Sequence, residues 1–145
     1  MATPDFNTVA DSISKISVSG LKIYDLNEMP QSVMRDLPCV MPAPNFVTNF
    51  RPVNISIDRQ EMDFTYNLNY RLFATPVGAG RGIHETYQKI TAALALFLAA
   101  IATNHSITGA VDLQIENIGE FGVVKDPSDA DFAGCSISLS VQEFK

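Results

Sequence analysis

Two histidines, two cysteines and a group of aspartates are the residues of this chain whose chemistry could serve a reaction or a metal ion, and their spacing argues against both. His84 and His105 fall at opposite ends of one expected helix, about 30 Å apart at 1.5 Å per residue. They cannot share a proton relay or a metal. Cys39 and Cys135 are too few for a disulfide framework and lack metal-ligand spacing, so both are read as free, buried thiols. Asp126, Asp129 and Asp131 lack the Asp-x-Asp-x-Asp-Gly spacing and the closing Glu of a calcium loop, which leaves solvated carboxylates as the reading. The glycines at 78, 80 and 82 have neither a Gly-Lys-Ser/Thr ending nor Gly-x-Gly-x-x-Gly spacing. They suit a flexible loop at the domain edge, with Arg81 as its exposed charge. No Gly-x-Ser-x-Gly elbow and no His-Glu-x-x-His pair occurs. The expectation is a protein that is not an enzyme, with no catalytic residue, no cofactor and no metal.

The elements that must hold these residues are written in the hydrophobic pattern. Val53, Ile55 and Ile57, then Met62, Phe64, Tyr66, Leu68, Tyr70 and Leu72, alternate with polar residues. Val111, Leu113 and Ile115 do the same, as do Cys135, Ile137, Leu139 and Val141 against Ser136, Ser138, Ser140 and Gln142. A period of two predicts strands with one buried and one wet face. Between the two blocks, residues 83–103 predict one long helix whose stripe Ile83, Tyr87, Ile90, Leu94, Phe97, Leu98 and Ile101 faces the sheet. Ala92, Ala93, Ala95, Ala99 and Ala100 would line its flanks.

Residues 5–19 predict a first helix ended by Gly20, followed by a short extended piece in Leu21-Lys22-Ile23-Tyr24-Asp25-Leu26. Residues 29–52 carry five prolines among apolar residues, which predicts an ordered arm or edge segment instead of a regular ladder. Residues 117–134 predict a long connection within the last hairpin, of the kind that binds something or is mobile. The fold class expected is therefore α+β: an antiparallel sheet of four strands or slightly more packed against one long helix, in the order α-β-β-α-β-β. One domain spans residues 1–145, divided into an N-terminal helix region at 1–28, a proline-rich arm at 29–52 and a ββαββ core at 53–145.

The net charge of -6 and the isoelectric point near 4.7 speak against coating a nucleic acid. Charged residues are 18 % of the chain, below the roughly 25 % of ordinary soluble domains, so the surface suits contact with other protein. The first residues have no basic leader, and the apolar run 90–102 is shorter than the ~20 residues a bilayer needs. A soluble protein kept in a reducing compartment, without membrane contact, is the expectation.

The N-terminal helix, the segment Leu37-Pro38-Cys39-Val40-Met41-Pro42-Ala43-Pro44-Asn45-Phe46-Val47, the first hairpin, the covering helix and the last hairpin together resemble the tail terminator and tail-completion proteins of long-tailed bacteriophages. The resemblance covers nearly the whole chain and rests on element order, length and the proline segment. It implies a virion protein assembled in the host cytoplasm: a homohexameric ring that caps the tail tube protein, stops its polymerisation and joins it to a neck or connector protein. Genome DNA would pass through the channel without sequence-specific binding. Two other readings stand beside it, a head-closure or neck protein on the portal side and a small-ligand-binding α+β domain with its pocket between helix and sheet. Interface contacts are expected from Arg81, Phe46, Phe50, Phe121, Lys125, Asp126 and Phe132, the apolar and charged residues of the segments taken as exposed. Charge reversal at Arg81 or Asp126 is expected to weaken assembly and leave the monomer folded.

Overall fold

The alternating blocks and the long helix form an α+β domain with a five-stranded sheet and two helices, seen in a computed structural model that describes residues 6–56, 61–77, 83–104 and 112–144. The order is α1 (Phe6–Ser14), β1 (Lys22–Ile23), a 3₁₀ turn (Leu26–Glu28), β2 (Cys39–Ser56), β3 (Glu61–Pro76), α2 (Ile83–Thr103), β4 (Asp112–Lys125) and β5 (Asp131–Phe144). Across the sheet the strands run β1-β2-β3-β5-β4. The four long strands pair antiparallel, and β1 adds a two-residue parallel pairing to Cys39 and Val40.

The period of two in β3 and β5 divides the two faces. Phe64, Tyr66, Leu68, Tyr70 and Leu72 on β3, with Ile137, Leu139 and Val141 on β5, point to one side and are buried. Val9 and Ile13 of α1 and Ile90, Ala93, Phe97 and Ile101 of α2 pack on them in a single core. The expected stripe of α2 is therefore rotated: Ala93 is buried, Leu94 and Leu98 are half-buried, and Tyr87 is 45 % exposed. α1 is shorter than the sequence pattern suggests, because Lys15 begins a turn well before Gly20.

Three expectations change. The proline-rich segment is not a separate arm, since Cys39–Ser56 forms a continuous strand along β3. Proline is tolerated there because β1 covers only the first two residues of β2, so most of its outer edge has no strand beside it among the described residues. The pairing is nevertheless broken by register shifts between Pro42 and Val47, Thr48 and Arg51, and Pro52 and Asn54. The long connection in the last hairpin is also mostly strand: β4 runs to Lys125 and β5 starts at Asp131. What remains is a five-residue turn. Finally, Asp126 and Phe132, expected at an exposed interface, are both buried.

A second, smaller core explains Phe132. Tyr24, Val33, Cys39, Met41, Phe73, Val124 and Phe132 cluster together, with the Phe73 and Phe132 rings edge-to-face at 5.7 Å. Phe73 stands on the same face of β3 as Arg71, opposite the main core. The chain between β1 and β2 folds over this end of the sheet and covers it, leaving the rest of that face open.

Candidate functional site

The open face is built from the polar half of the same alternation. Thr65, Asn67, Asn69 and Arg71 project from β3, in register with Gln142, Ser140, Ser138 and Ser136 of β5. On β4 the partners of Ser140, Ser138 and Ser136 are Gln114, Asn117 and Gly119. Irregularities in the two flanking strands raise walls beside this floor. In β2 the shift between Pro42 and Val47 lifts Pro44 and Asn45, and Asn49 adopts a left-handed φ of 53°. In β4 the shifts fall at Ile115/Asn117 and Gly119/Gly122, with Glu120 at a φ of 47°. Such extra residues bend a strand and re-aim its side chains.

The result is a groove of about 540 Å³ between the two walls, with Asn67, Asn69, Arg71, Ser136 and Ser138 among its lining. It continues past Arg71 and Glu120 toward Phe121 and Lys125 at one end. At the other it continues past Asn67 and Glu116 toward Arg51 and Ser140. Asn69 is fixed: its Nδ2 donates to the Asn45 carbonyl at 2.8 Å and to Thr48 Oγ1 at 2.9 Å. Arg71 donates one guanidinium N–H to the Lys125 carbonyl at 3.2 Å, and no carboxylate among the described residues pairs with it. Asn67 is 8 % exposed and lines the groove, and the buried polar side-chain atom without a hydrogen-bond partner among the described residues is the Tyr70 hydroxyl. The walls at Asn45, Asn49, Glu116, Asn117 and Glu120 were not legible as a site. The bulges that bring them together follow no simple period.

Of the residues expected at an interface, Phe50 and Phe121 keep 43 % and 44 % of their surface exposed. They lie apart: Phe50 stacks near Phe64 and Tyr66, while Phe121 meets Tyr87 of α2 with ring centroids 5.7 Å apart. Phe46 is half-buried edge-to-face on Tyr70. Lys125 is exposed and pairs with Asp131 at 3.0 Å and Asp129 at 3.7 Å. Arg81 lies outside the described residues, as does His105, and the side chain of His84 is likewise outside them.

Asp126 has a structural task. Its Oδ1 accepts from the Ser128 N–H at 3.0 Å, the Ser128 hydroxyl at 2.6 Å and the Ala130 N–H at 3.0 Å, and its Oδ2 accepts from the Val33 N–H at 3.3 Å. One carboxylate thus closes the β4–β5 turn and ties it to the segment covering the second core. Burial pushes its pKa up, but the hydrogen bonds from Ser128, Ala130 and Val33 outweigh burial and hold it below the ordinary carboxylate value. Asp126→Ala should cost about 1–2 kcal/mol by removing these bonds and leaving the buried Val33 N–H unpaired, read as a lower urea midpoint. Because the folded pKa is depressed, this stabilisation is present above the unfolded value and lost as pH falls through the folded one. An acid titration of the wild type against Asp126→Asn should therefore converge below about pH 4. Charge reversal at Asp126 would test this latch and not an interface.

The thiols are chemically quiet. Burial, then the nearby Asp36, raises Cys39 to about 12, and burial raises Cys135 to about 11. Both stay protonated near neutral pH, and the thiolate is the nucleophile. Among the described residues no three His, Cys, Asp or Glu side chains gather to hold a metal. No protein-family profile and no curated protein matches the chain.

Proposed function

We propose that this chain is a structural virion protein: one subunit of a ring at the head-proximal end of a phage tail, which caps the tail tube and joins it to the neck. Its working unit is the α-β-β-α-β-β arrangement in which one long helix roofs the sheet. The observation that carries the reading is the outward face of α2. Tyr87, Ala92, Ala95, Leu96, Ala99 and Ala102 are all exposed, and Lys89 is the only charged residue in Thr86–Thr103. A helix that ends its life against water carries charge on that side. An apolar face of this kind calls for cover, and small side chains let another element approach closely.

The same stretch is long and apolar enough to cross a membrane by length and composition, with 22 % of it buried. Its inner face, however, is committed to the core through Ile90, Ala93, Phe97 and Ile101. Subunit packing in a ring accounts for both faces at once. The outer edge of β4, fourteen residues long and with no strand beside it among the described residues, offers a second contact to a neighbouring subunit by edge pairing. Head-to-tail contacts that close by rotation give rings.

A pocket between helix and sheet is disfavoured, because the side chains of Ile90, Phe97, Tyr70 and Leu68 occupy that space. The test is deletion of the gene followed by imaging of the particles. Overlong tails unattached to heads are the expected result. Finished tails beside leaking heads would assign the chain to the portal side of the neck instead.

A further inference from the structure

We infer that residues 26–37 form a strap over the second core that opens locally, with the main core intact, when the Asp126 carboxylate is neutralised. This holds whether or not the chain forms a ring. The roots of the strap lie side by side, because Lys22 and Ile23 pair with Cys39 and Val40. It is thus a compact surface loop with closed ends, and lifting it breaks no strand pairing.

Its attachment is sparse. Val33 is the one fully buried residue of 26–37, and Leu37 packs partly against the same cluster. Beyond local turns, two hydrogen bonds hold the strap down among the described residues: the Val33 N–H donates to Asp126 Oδ2 at 3.3 Å, and the Tyr24 hydroxyl donates to Asp36. The second cluster shares no residue with the main core. A segment with so few buried contacts opens at a lower free energy than the whole fold.

Asp126 is the latch because it serves two elements at once. Its Oδ1 holds the β4–β5 turn through Ser128 and Ala130, while its Oδ2 reaches the strap. The nearby cations are engaged elsewhere: Lys125 pairs with Asp129 and Asp131, Arg71 donates to the Lys125 carbonyl, and Lys22 stands over the Tyr24 ring. The Cys39 thiol beneath the strap feels both Asp36 and Asp126. A neutral Asp36 can still accept from the Tyr24 hydroxyl, whereas a proton on Asp126 turns one oxygen into a donor and leaves weaker acceptors for four bonds. The bonds that hold Asp126 below the ordinary carboxylate value therefore keep the strap shut, and it opens as pH falls through the folded value.

The two native cysteines are matched reporters, since Cys39 belongs to the second core and Cys135 to the main one. The full chain is labelled with dithiodipyridine, which reacts with thiols in acid as well, and the two rates are read by peptide mass spectrometry. Asp126→Asn keeps an Oδ1 acceptor for the turn and sets an amide donor against the Val33 N–H. At neutral pH this variant should label at Cys39 about ten-fold faster than the wild type, with Cys135 unchanged. In the wild type the ratio of the Cys39 rate to the Cys135 rate, in which the common pH dependence of thiol reactivity cancels, should rise as pH falls to about 4 and below. In Asp126→Asn that ratio should be high and flat. If Asp126→Asn does not fold, the wild-type ratio decides alone. Two thiols that speed up together mean that the strap opens only with the whole fold, and that result, or a Cys39 protected throughout, would overturn the inference.

Discussion

Gly134→Ala should destabilise the fold severely. A Cβ at this position would lie 1.8 Å from the Leu72 carbonyl oxygen and 2.9 Å from Val124 Cγ2. The first neighbour is backbone of the central strand and cannot rotate away. Gly134 faces Phe73 where the β3–β5 register slips before Thr75, so the two strands press together at that point. Overpacking a filled site costs about 1–3 kcal/mol and more when backbone must move. Against a total stability of about 5–15 kcal/mol, a loss of about 3 kcal/mol or more is expected. Gly119→Ala is the control, since its Cβ would meet Ser136 Oγ at 3.4 Å, an ordinary contact. Urea unfolding of the two variants should separate them widely, with Gly119→Ala near the wild type.

Adjacent residues of α2 should fail in opposite ways. Phe97 is fully buried against Tyr70, with ring centroids 6.2 Å apart, whereas Leu96 is 39 % exposed. Phe97→Ala should cost about 3–5 kcal/mol through the cavity it opens beneath the helix. Leu96→Glu should leave the unfolding midpoint of the separated subunit almost unchanged, as surface substitutions usually do. Its effect should fall on association, because a carboxylate would have to be desolvated in the proposed subunit contact. If both variants lowered stability equally, the outward face of α2 would belong to the monomer's own packing.

The legible part of the fold is the part with an uninterrupted period. β3 and β5 alternate cleanly from Phe64 to Leu72 and from Cys135 to Val141, so both their buried faces and their polar faces could be read from residue type. β2 before Val53 was hidden by Pro42, Pro44 and Pro52, which remove ladder donors on a strand whose outer edge is mostly unpaired among the described residues. β4 was hidden by its own bulges: after Ile115 the extra residues around Asn117 and between Gly119 and Gly122 shift the alternation, and the strand then reads as loop. The error placed Phe132 in solvent when it closes the second core.

Asp126 shows a different limit. The run Asp126-Pro127-Ser128-Asp129 carries an aspartate suited to bonding its own backbone two residues on, and that turn was within reach of the sequence. Its bond to Val33, 93 positions away in the chain, was not. The groove divides in the same manner, its floor readable from the wet half of two alternating strands and its walls visible only once the bulges are seen in space. Likewise the apolar run of α2 was readable as one helix, while the rotation that leaves Tyr87 and Leu96 outside depends on Ala93, read as a flank residue, taking the inner position.

The most direct test is the mass of the purified full chain in solution, by native mass spectrometry or sedimentation, at concentrations near those of assembly. A closed ring of six copies for the wild type, reduced to single subunits by Leu96→Glu, is the predicted result. A wild-type chain that stays monomeric at all concentrations, with α2 freely accessible to labelling at Ala95→Cys, would contradict the account.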